Sequence, residues 1–267
     1  MPTSAQALLF VYGDCGQYVT EDQFNDWYDN EHAPLRLTVP GFLTAARYKA
    51  LDAPPKPFPK WLALYDMSSK DIMQSQSYLD LRFKASNNEK EVVGNLEVLN
   101  RRVYELIDSS ESEENTPNGG DKEAAKFIYV VHMEVARTKD KEQDESQYKV
   151  QEDHFIQWYT STRIPRLAVV PGYMRSRVFR LAEQPVELAG KASSNKSRTT
   201  KVQSPFSLLA IHEWNVEGTE VIDLPEFKMC MTDAESWKME GEEAIAVMED
   251  RLFGLYKVFH LEVPRMD

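Results

Sequence analysis

Three of the five histidines in this chain of 267 residues lie inside short apolar stretches: His132 in IYVVH, His212 in LAIHE and His260 in KVFHL. Imidazole titrates near neutrality, so a histidine held in an apolar wall can take or give a proton at an enolisable carbon. The hydroxyls of Tyr12, Tyr28 and Tyr65 can orient such a substrate or donate to a developing oxyanion. Glu31 and His32, adjacent in WYDNEHAPL, form a second candidate acid/base pair. Burial raises a carboxyl's pKa and a neighbouring imidazolium lowers it, so such a pair can sit on either side of neutrality. A different chemistry for His132, His212 and His260 is a divalent metal. Three imidazoles with one open position are a recognised catalytic zinc set, and non-haem iron takes similar ligands. The chain has no Gly-rich phosphate loop, G-x-S-x-G, H-E-x-x-H or dinucleotide fingerprint.

A repeat positions these residues. Glu21–Lys49 set against Glu152–Arg180 without a gap shares Glu-Asp, Phe, Trp-Tyr, Pro and Val-Pro-Gly at equal spacing. Phe42 matches Tyr173, and Tyr48 matches Phe179. Further out, LLFVY (Leu8–Tyr12) matches IYVVH (Ile128–His132), LALYD (Leu62–Asp66) matches LAIHE (Leu209–Glu213), and RVYEL (Arg102–Leu106) is set against KVFHL (Lys257–Leu261). Each half then reads strand, helix, strand, strand, long helix, strand, the last helix covering about Asp233–Leu252. Phe24, Trp27, Tyr28 and Glu31 recur at the helical period, which predicts a shared stripe with Glu31 pointing inward or to a cleft edge. Thr20 with Gln23 predicts a capping box, and Pro34 and Pro165 predict that each helix bends or ends there. Pro-Gly at 40–41 and 171–172 turns the chain into the second strand. The expected organisation is a first repeat over 1–108, an acidic linker over 109–125 and a second repeat over 126–267. Residues 52–59 read as a hairpin tip and about 183–204 as a longer hairpin insert.

A βαββαβ unit is the ferredoxin-like split βαβ, an antiparallel sheet with helices on one face. The bare face needs cover, and two copies in one chain supply it sheet to sheet. The expected fold class is therefore α+β, an intrachain pseudo-dimeric barrel. WYDNEHAPL followed by PGF resembles the EthD-like members of the dimeric α+β barrel superfamily, and the resemblance covers both repeats. It implies a pocket bordered by the histidine at His32. It also implies activities such as polyketide cyclisation, lactone isomerisation or cofactor-free mono-oxygenation. Thr162 and Arg163 replace Glu31 and His32 in the second repeat, so at most one copy keeps that pair. Duplicated relatives that bind haem use, by resemblance, a histidine on a helix of the C-terminal half. Residues 233–252 contain none, so no haem is expected and no organic cofactor is called for.

Strand alternation sorts side chains onto two faces. One expected set (Leu9, Val11, Leu62, Leu64, Tyr104, Leu106; Tyr129, Val131, Leu209, Ile211, Phe259, Leu261) is apolar and packs under the helices. The other carries Tyr12, Tyr65 and Glu105 in the first half and His132, His212 and His260 in the second. In the ferredoxin-like order these strands are neighbours at ~4.8 Å. The function these positions suggest is a cofactor-independent cyclase, dehydratase, decarboxylase or isomerase for an apolar oxygenated substrate, such as a polyketide or aromatic metabolite. His32, Glu31, His132, His212, His260 and Tyr65 would be its acid/base groups, with Tyr12, Tyr28 and Glu105 lining the pocket. The rivals are a metal-dependent enzyme using the three strand histidines and a non-catalytic small-molecule binding or stress-related protein. A formal charge of −12 argues against nucleic acid or anionic membrane as a partner. No apolar run reaches the ~20 residues of a membrane helix, and the N-terminus has no signal-peptide pattern. Cys15 and Cys230 alone build no disulfide framework, which points to a reduced, cytoplasmic setting. The tandem copy can close its own barrel, so a monomer is allowed, and a homodimer through exposed sheet edges is equally open.

Overall fold

The structure, a computed structural model, describes residues 4–52, 59–112, 124–135, 145–189, 206–232 and 246–260. Its strands are β1 (Ala7–Asp14), β2 (Phe42–Ala50), β3 (Trp61–Met67), β4 (Val98–Glu111), β5 (Phe127–Val135), β6 (Tyr173–Glu187), β7 (Leu208–Trp214) and β8 (Ala246–Phe259). They close into a ring in the order β1-β3-β2-β8-β5-β7-β6-β4. In the first half β1 leads into α1 (Glu21–Trp27), a π-helical turn (Tyr28–His32) and α2 (Ala33–Leu37). A 3-10 turn (Lys70–Gln74), α3 (Gln76–Phe83) and α4 (Asn87–Asn95) follow β3. The second half repeats this with α5 (Glu145–Trp158), a π-helical turn (Tyr159–Arg163), α6 (Ile164–Ala168), α7 (Gly218–Asp223) and α8 (Pro225–Thr232). The fold is the expected α+β barrel of two ferredoxin-like halves.

Local chemistry explains the element boundaries. Thr20 caps α1 reciprocally: its hydroxyl accepts from Gln23 N–H at 3.2 Å, and Thr20 N–H donates to Gln23 Oε1 at 3.0 Å. Pro34 and Pro165 do not end the helices. Each is the second residue of a short helix that continues directly from a π-turn. Gly41 and Gly172 take φ of 101° and 81° as the chain swings into β2 and β6.

Three expected boundaries are corrected. The last helix of the second half does not reach Leu252, because 246–252 belong to β8; residues 233–245 lie outside the described residues. Residues 109–111, expected in the linker, extend β4, and 183–187, expected in the insert, end β6. Residues 113–123 of the expected linker, 190–204 of the insert and 53–58 of the hairpin tip also lie outside the described residues.

The compact units do not follow the sequence halves. One unit gathers 1–106 with 180–205 and 255–267, and the other gathers 107–179 with 206–254. In the first unit, Leu188 N–H donates to the Leu99 carbonyl at 2.9 Å and Tyr256 meets Trp61 edge-on at 4.9 Å. In the second, Ser112 N–H donates to the Met174 carbonyl at 2.9 Å.

The core of each unit packs helices on one sheet face. Leu9 opposes Tyr65 and Val11 opposes Ala63, and these four join Phe24, Trp27 and Tyr28 in the first core. In the second unit Tyr129 opposes His212 and Val131 opposes Ala210, under Phe155 and Tyr159. The face assignment for β1 and β5 therefore holds, while that for β3, β4 and β7 inverts: on β4, Tyr104 lies against Phe10, and Glu105 lies opposite Ala7 on the helix side. Leu62, Leu64, Leu209 and Ile211 turn away from the helices, and Tyr65 and His212 turn toward them. The cause is that β1, β3, β5 and β7 are buried on both faces, so alternation has no polar side to mark.

Register corrects the last strand as well. Ala7 opposes Glu105, and Phe127, its counterpart, opposes Gly254. RVYEL (102–106) thus corresponds to RLFGL (251–255), six residues before KVFHL.

Candidate functional site

A π-turn inserts one residue into a helix, which delays the inward stripe by one position. Phe24, Trp27 and Tyr28 are therefore continued by His32, whose ring packs 4.4 Å from Trp27 and 4.8 Å from Tyr28. Glu31 turns to the half-buried flank and accepts from Asn88 Nδ2 at 3.1 Å. In the second half the same delay turns Tyr159 and Arg163 inward, the counterparts of Tyr28 and His32.

In the first half these side chains pack on one another. Tyr65 Oη donates to Tyr28 Oη at 3.2 Å, and His32 Nδ1 lies 3.2 Å from Glu89 on α4. Burial, reinforced by the Arg36 charge, lowers the His32 pKa to about 3. The ring is therefore neutral, Nδ1–H donates to Glu89, and that carboxylate's charge is met by Arg36 at 3.6 Å. Arg101 on β4 donates to Tyr78 of α3 at 3.0 Å. Below them Arg47 lies 4.5 Å over the Tyr28 ring, 4.7 Å over Trp61 and 5.0 Å over both Phe24 and Tyr256, and it pairs with Asp29 and Asn25.

A cavity of about 220 Å³ lies between the sheet and the helices of the second unit. Tyr129, Tyr159, Arg163, Arg166 and Asp250 give it polar groups, and Val131, Trp158, Met231 and Met248 make the rest apolar. An apolar cavity of ~150 Å³ takes benzene, so this one has room for a substituted ring or a small bicycle. The Tyr129 hydroxyl hydrogen-bonds to both Arg163 and Asp250; burial first, then the Asp250 charge, pushes its pKa up. Behind the wall, Tyr159 Oη lies 2.9 Å from His212 Nε2. His212 Nδ1 lies 2.6 Å from Ser176 Oγ, which accepts from Tyr173 Oη at 2.8 Å. His212 is completely buried and stacks on Tyr129 and Tyr159, with centroids at 5.6 and 5.9 Å and planes within 30°. Burial, helped by the Arg163 charge, lowers its pKa to about 3, so the ring is neutral. The Tyr159 phenol is held well above its ordinary pKa by burial and by the nearby Tyr129.

The structure does not gather the three strand histidines. His132 is on the opposite face of β5 from Tyr129, across from Leu209, and stacks on Phe206 at 5.9 Å. The β8 residue opposite His132 is Glu249, whereas His260 is exposed and lies one residue beyond β8. Among the described residues no group of three or more His, Cys, Asp or Glu side chains could hold a metal ion. Tyr12 faces away from the helices, edge-on to Phe10 at 4.6 Å with Arg102 5.5 Å over its ring. Glu105 is exposed and accepts from Lys70 Nζ at 3.0 Å. Tyr28, Tyr65 and His32 are brought together in the first unit.

Sequence reasoning passed over Tyr159, Arg163, Tyr129, Asp250, Ser176 and Tyr173. The gapless alignment already placed Tyr159 on Tyr28 and Arg163 on His32. Asp250 was hidden by the misregistered last strand, since its counterpart by register is Arg101.

No family description and no curated protein matches the chain in sequence. Solved structures with a similar path include an anthrone oxidase-like protein at 12% identity, covering 97% of this chain and 94% of that one, with a TM-score of 0.47. A candidate monooxygenase from Fusobacterium nucleatum follows at 10% identity, 95% and 94% coverage and a TM-score of 0.46. A candidate chlorite dismutase has 10% identity, 95% and 96% coverage and a TM-score of 0.45.

Proposed function

We propose that this chain is a small-molecule enzyme of the EthD-like kind, with its active site in the second-half cavity, working by proton transfer on an oxygenated, largely apolar substrate. The observation that carries this reading is the buried Tyr159–His212 pair at the cavity wall. Tyr159 exchanges the proton, and His212 positions its hydroxyl and supplies or accepts the proton on the far side. Arg163 stabilises the oxyanion that develops when a carbon beside a carbonyl is deprotonated. Tyr129 fixes Arg163 and Asp250 relative to each other. An enolate serves aldol-type cyclisation, isomerisation and decarboxylation alike, so the geometry supports the chemistry shared by these reactions. The metal-dependent alternative loses its ligand set, because His132 and His212 lie on opposite faces of the sheet.

The test uses β-tetralone, an enolisable bicyclic ketone of suitable size, in heavy water. The full chain should accelerate hydrogen–deuterium exchange at the carbon between ring and carbonyl, followed by proton NMR. Tyr159→Phe should slow that exchange by ~100-fold or more, the usual contribution of a positioned acid/base. Exchange at the buffer rate, or a Tyr159→Phe variant as fast as wild type, would sink the proposal. Saturable binding of the ketone without exchange would favour the non-catalytic reading instead.

A further inference from the structure

The hydrogen-bonded chain behind the cavity wall does not stop at His212. From Tyr159 it passes through both ring nitrogens to Ser176 Oγ and on to Tyr173 Oη. Tyr173 Oη also lies 3.4 Å from the carbonyl of Ser110, an exposed residue near the end of β4. Four side chains thus lead from the cavity wall to the backbone of an exposed residue of the second unit. We infer that Tyr159, His212, Ser176 and Tyr173 form a proton wire, and that Ser176 and Tyr173 are positioning residues for the reaction at Tyr159. This inference rests on the proposed active site and adds to it the route the proton takes and the class of reaction the route suits.

Every member has a proton to give and a lone pair to receive one, so the chain can be polarised either way. In one direction Tyr159 donates to Nε2, Nδ1–H donates to Ser176, Ser176 donates to Tyr173, and Tyr173 donates to the Ser110 carbonyl. In the other, each donor and acceptor exchanges roles, and the Tyr159 hydroxyl is free to donate into the cavity.

One transfer balances as follows. Tyr159 Oη takes a proton from the substrate carbon, and the C–H electron pair remains as the enolate. The Tyr159 proton moves to Nε2, the Nδ1 proton to Ser176 Oγ, the Ser176 proton to Tyr173 Oη, and the Tyr173 proton to water at the surface. All four side chains end neutral, and His212 has changed tautomer without becoming imidazolium. That matters in this setting, because a charged ring is disfavoured in a site with no exposure and a nearby guanidinium.

The ring stacks on two tyrosine rings, which hold it against flipping between turnovers. The wire is therefore reset only by running backwards. A reaction that removes a proton and later returns one resets it in every cycle, whereas a reaction with net protonation or deprotonation leaves it in the wrong polarity. The wire accordingly suits isomerisation and aldol-type cyclisation within the proposed class.

The closing experiment reads the tautomer directly and needs no substrate. The full chain, labelled with nitrogen-15 in its histidine rings, is examined at neutral pH by long-range proton–nitrogen correlation, and the His212 signals are assigned by their loss in His212→Gln. The expected wild-type spectrum has both ring nitrogens shifted to values between those of the two neutral tautomers. Ser176→Ala should move them to the values of a single tautomer, and Tyr173→Phe should shift the balance in part. Ala45 occupies the position of Ser176 in the first half, so the alanine has a folded precedent. A single fixed tautomer in wild type, an imidazolium, or averaging untouched by Ser176→Ala would each overturn the wire. The ketone exchange assay fails or succeeds separately, so loss of one proposal does not disguise loss of the other.

Discussion

At the scale of residues, two buried imidazoles tie stability to pH. His32 and His212 each have the pKa lowered from 6.5 to about 3 in the folded chain, chiefly by burial. A lowered pKa on a base means that the unfolded chain binds the proton first. Stability from these rings is complete above pH 6.5 and drains away as pH falls toward 3. Each ring contributes a slope of up to about 1.4 kcal/mol per pH unit within that window. The expected result is a urea midpoint that declines from pH 7 to pH 4, with His212→Gln declining less steeply than wild type. Equal slopes in the two proteins would mean that His212 is protonated inside the fold. The two rings nevertheless differ in what surrounds them: His32 is committed to Glu89, whereas His212 has an uncharged oxygen on each side. That difference separates a ring held as part of the packing from one that can pass a proton.

At the scale of elements, the turn into the second strand of each half limits which residues can follow the proline. A Cβ on Gly41 would stand 2.3 Å from Ile72 Cδ1, and one on Gly172 would stand 2.8 Å from Val216 Cγ1. Both positions also have positive φ, which costs an L-residue about 1–2 kcal/mol before any clash. Gly41→Ala and Gly172→Ala should each lower stability by roughly 2 kcal/mol or more once the overlap is added. Gly94 in α4 has open space around it, so Gly94→Ala should instead stabilise by about 0.5–1 kcal/mol. Thermal melts of the three variants check the ordering, and a neutral Gly172→Ala would mean the turn relaxes at no cost. The Val-Pro-Gly pair, the Trp-Tyr pair and the capping Thr20 were legible in the sequence because each acts over a few residues. The faces of β3 and β7 were not legible, since both sides of these strands are buried and a tyrosine or histidine fits either. The π-turns were hidden for a related reason: a one-residue insertion leaves composition unchanged while exchanging Glu31 for His32 on the inner face. The six-residue slip of the last strand came from matching KVFHL where RLFGL was the true partner, and it removed Asp250 from view. Tyr28, on the helical stripe, and His212, inside an apolar strand, are legible from the sequence. What the sequence lacked was the long-range register that sets His212 against Tyr159 and apart from His132.

At the scale of the whole molecule, neither sequence half contains a complete compact unit. The first unit needs residues from the far end of the chain: Tyr256 covers Trp61, Lys257 pairs with Asp29 at 3.2 Å, and Phe259 joins its core. Glu187 at the end of β6 accepts from Leu99 N–H at 2.9 Å, continuing the protection of β4. A fragment of residues 1–112 would expose Trp61, open one side of the rings around Arg47 and leave strand edges unpaired, each a strong invitation to aggregate. Small domains have few kcal/mol to spare, so losing this cover should remove cooperative folding altogether. The fragment alone is expected to show weak near-ultraviolet circular dichroism and no sharp thermal transition. Co-expressed with residues 124–267 as a separate chain, it should recover both, because the missing strands return without a covalent link. A fragment 1–112 that melts cooperatively as a monomer near the temperature of the intact protein would refute this dependence. If instead it melts cooperatively only as a homodimer, a second copy can substitute for the far half. The cover then depends on matching strand edges, and Tyr256 and Lys257 are not essential to it.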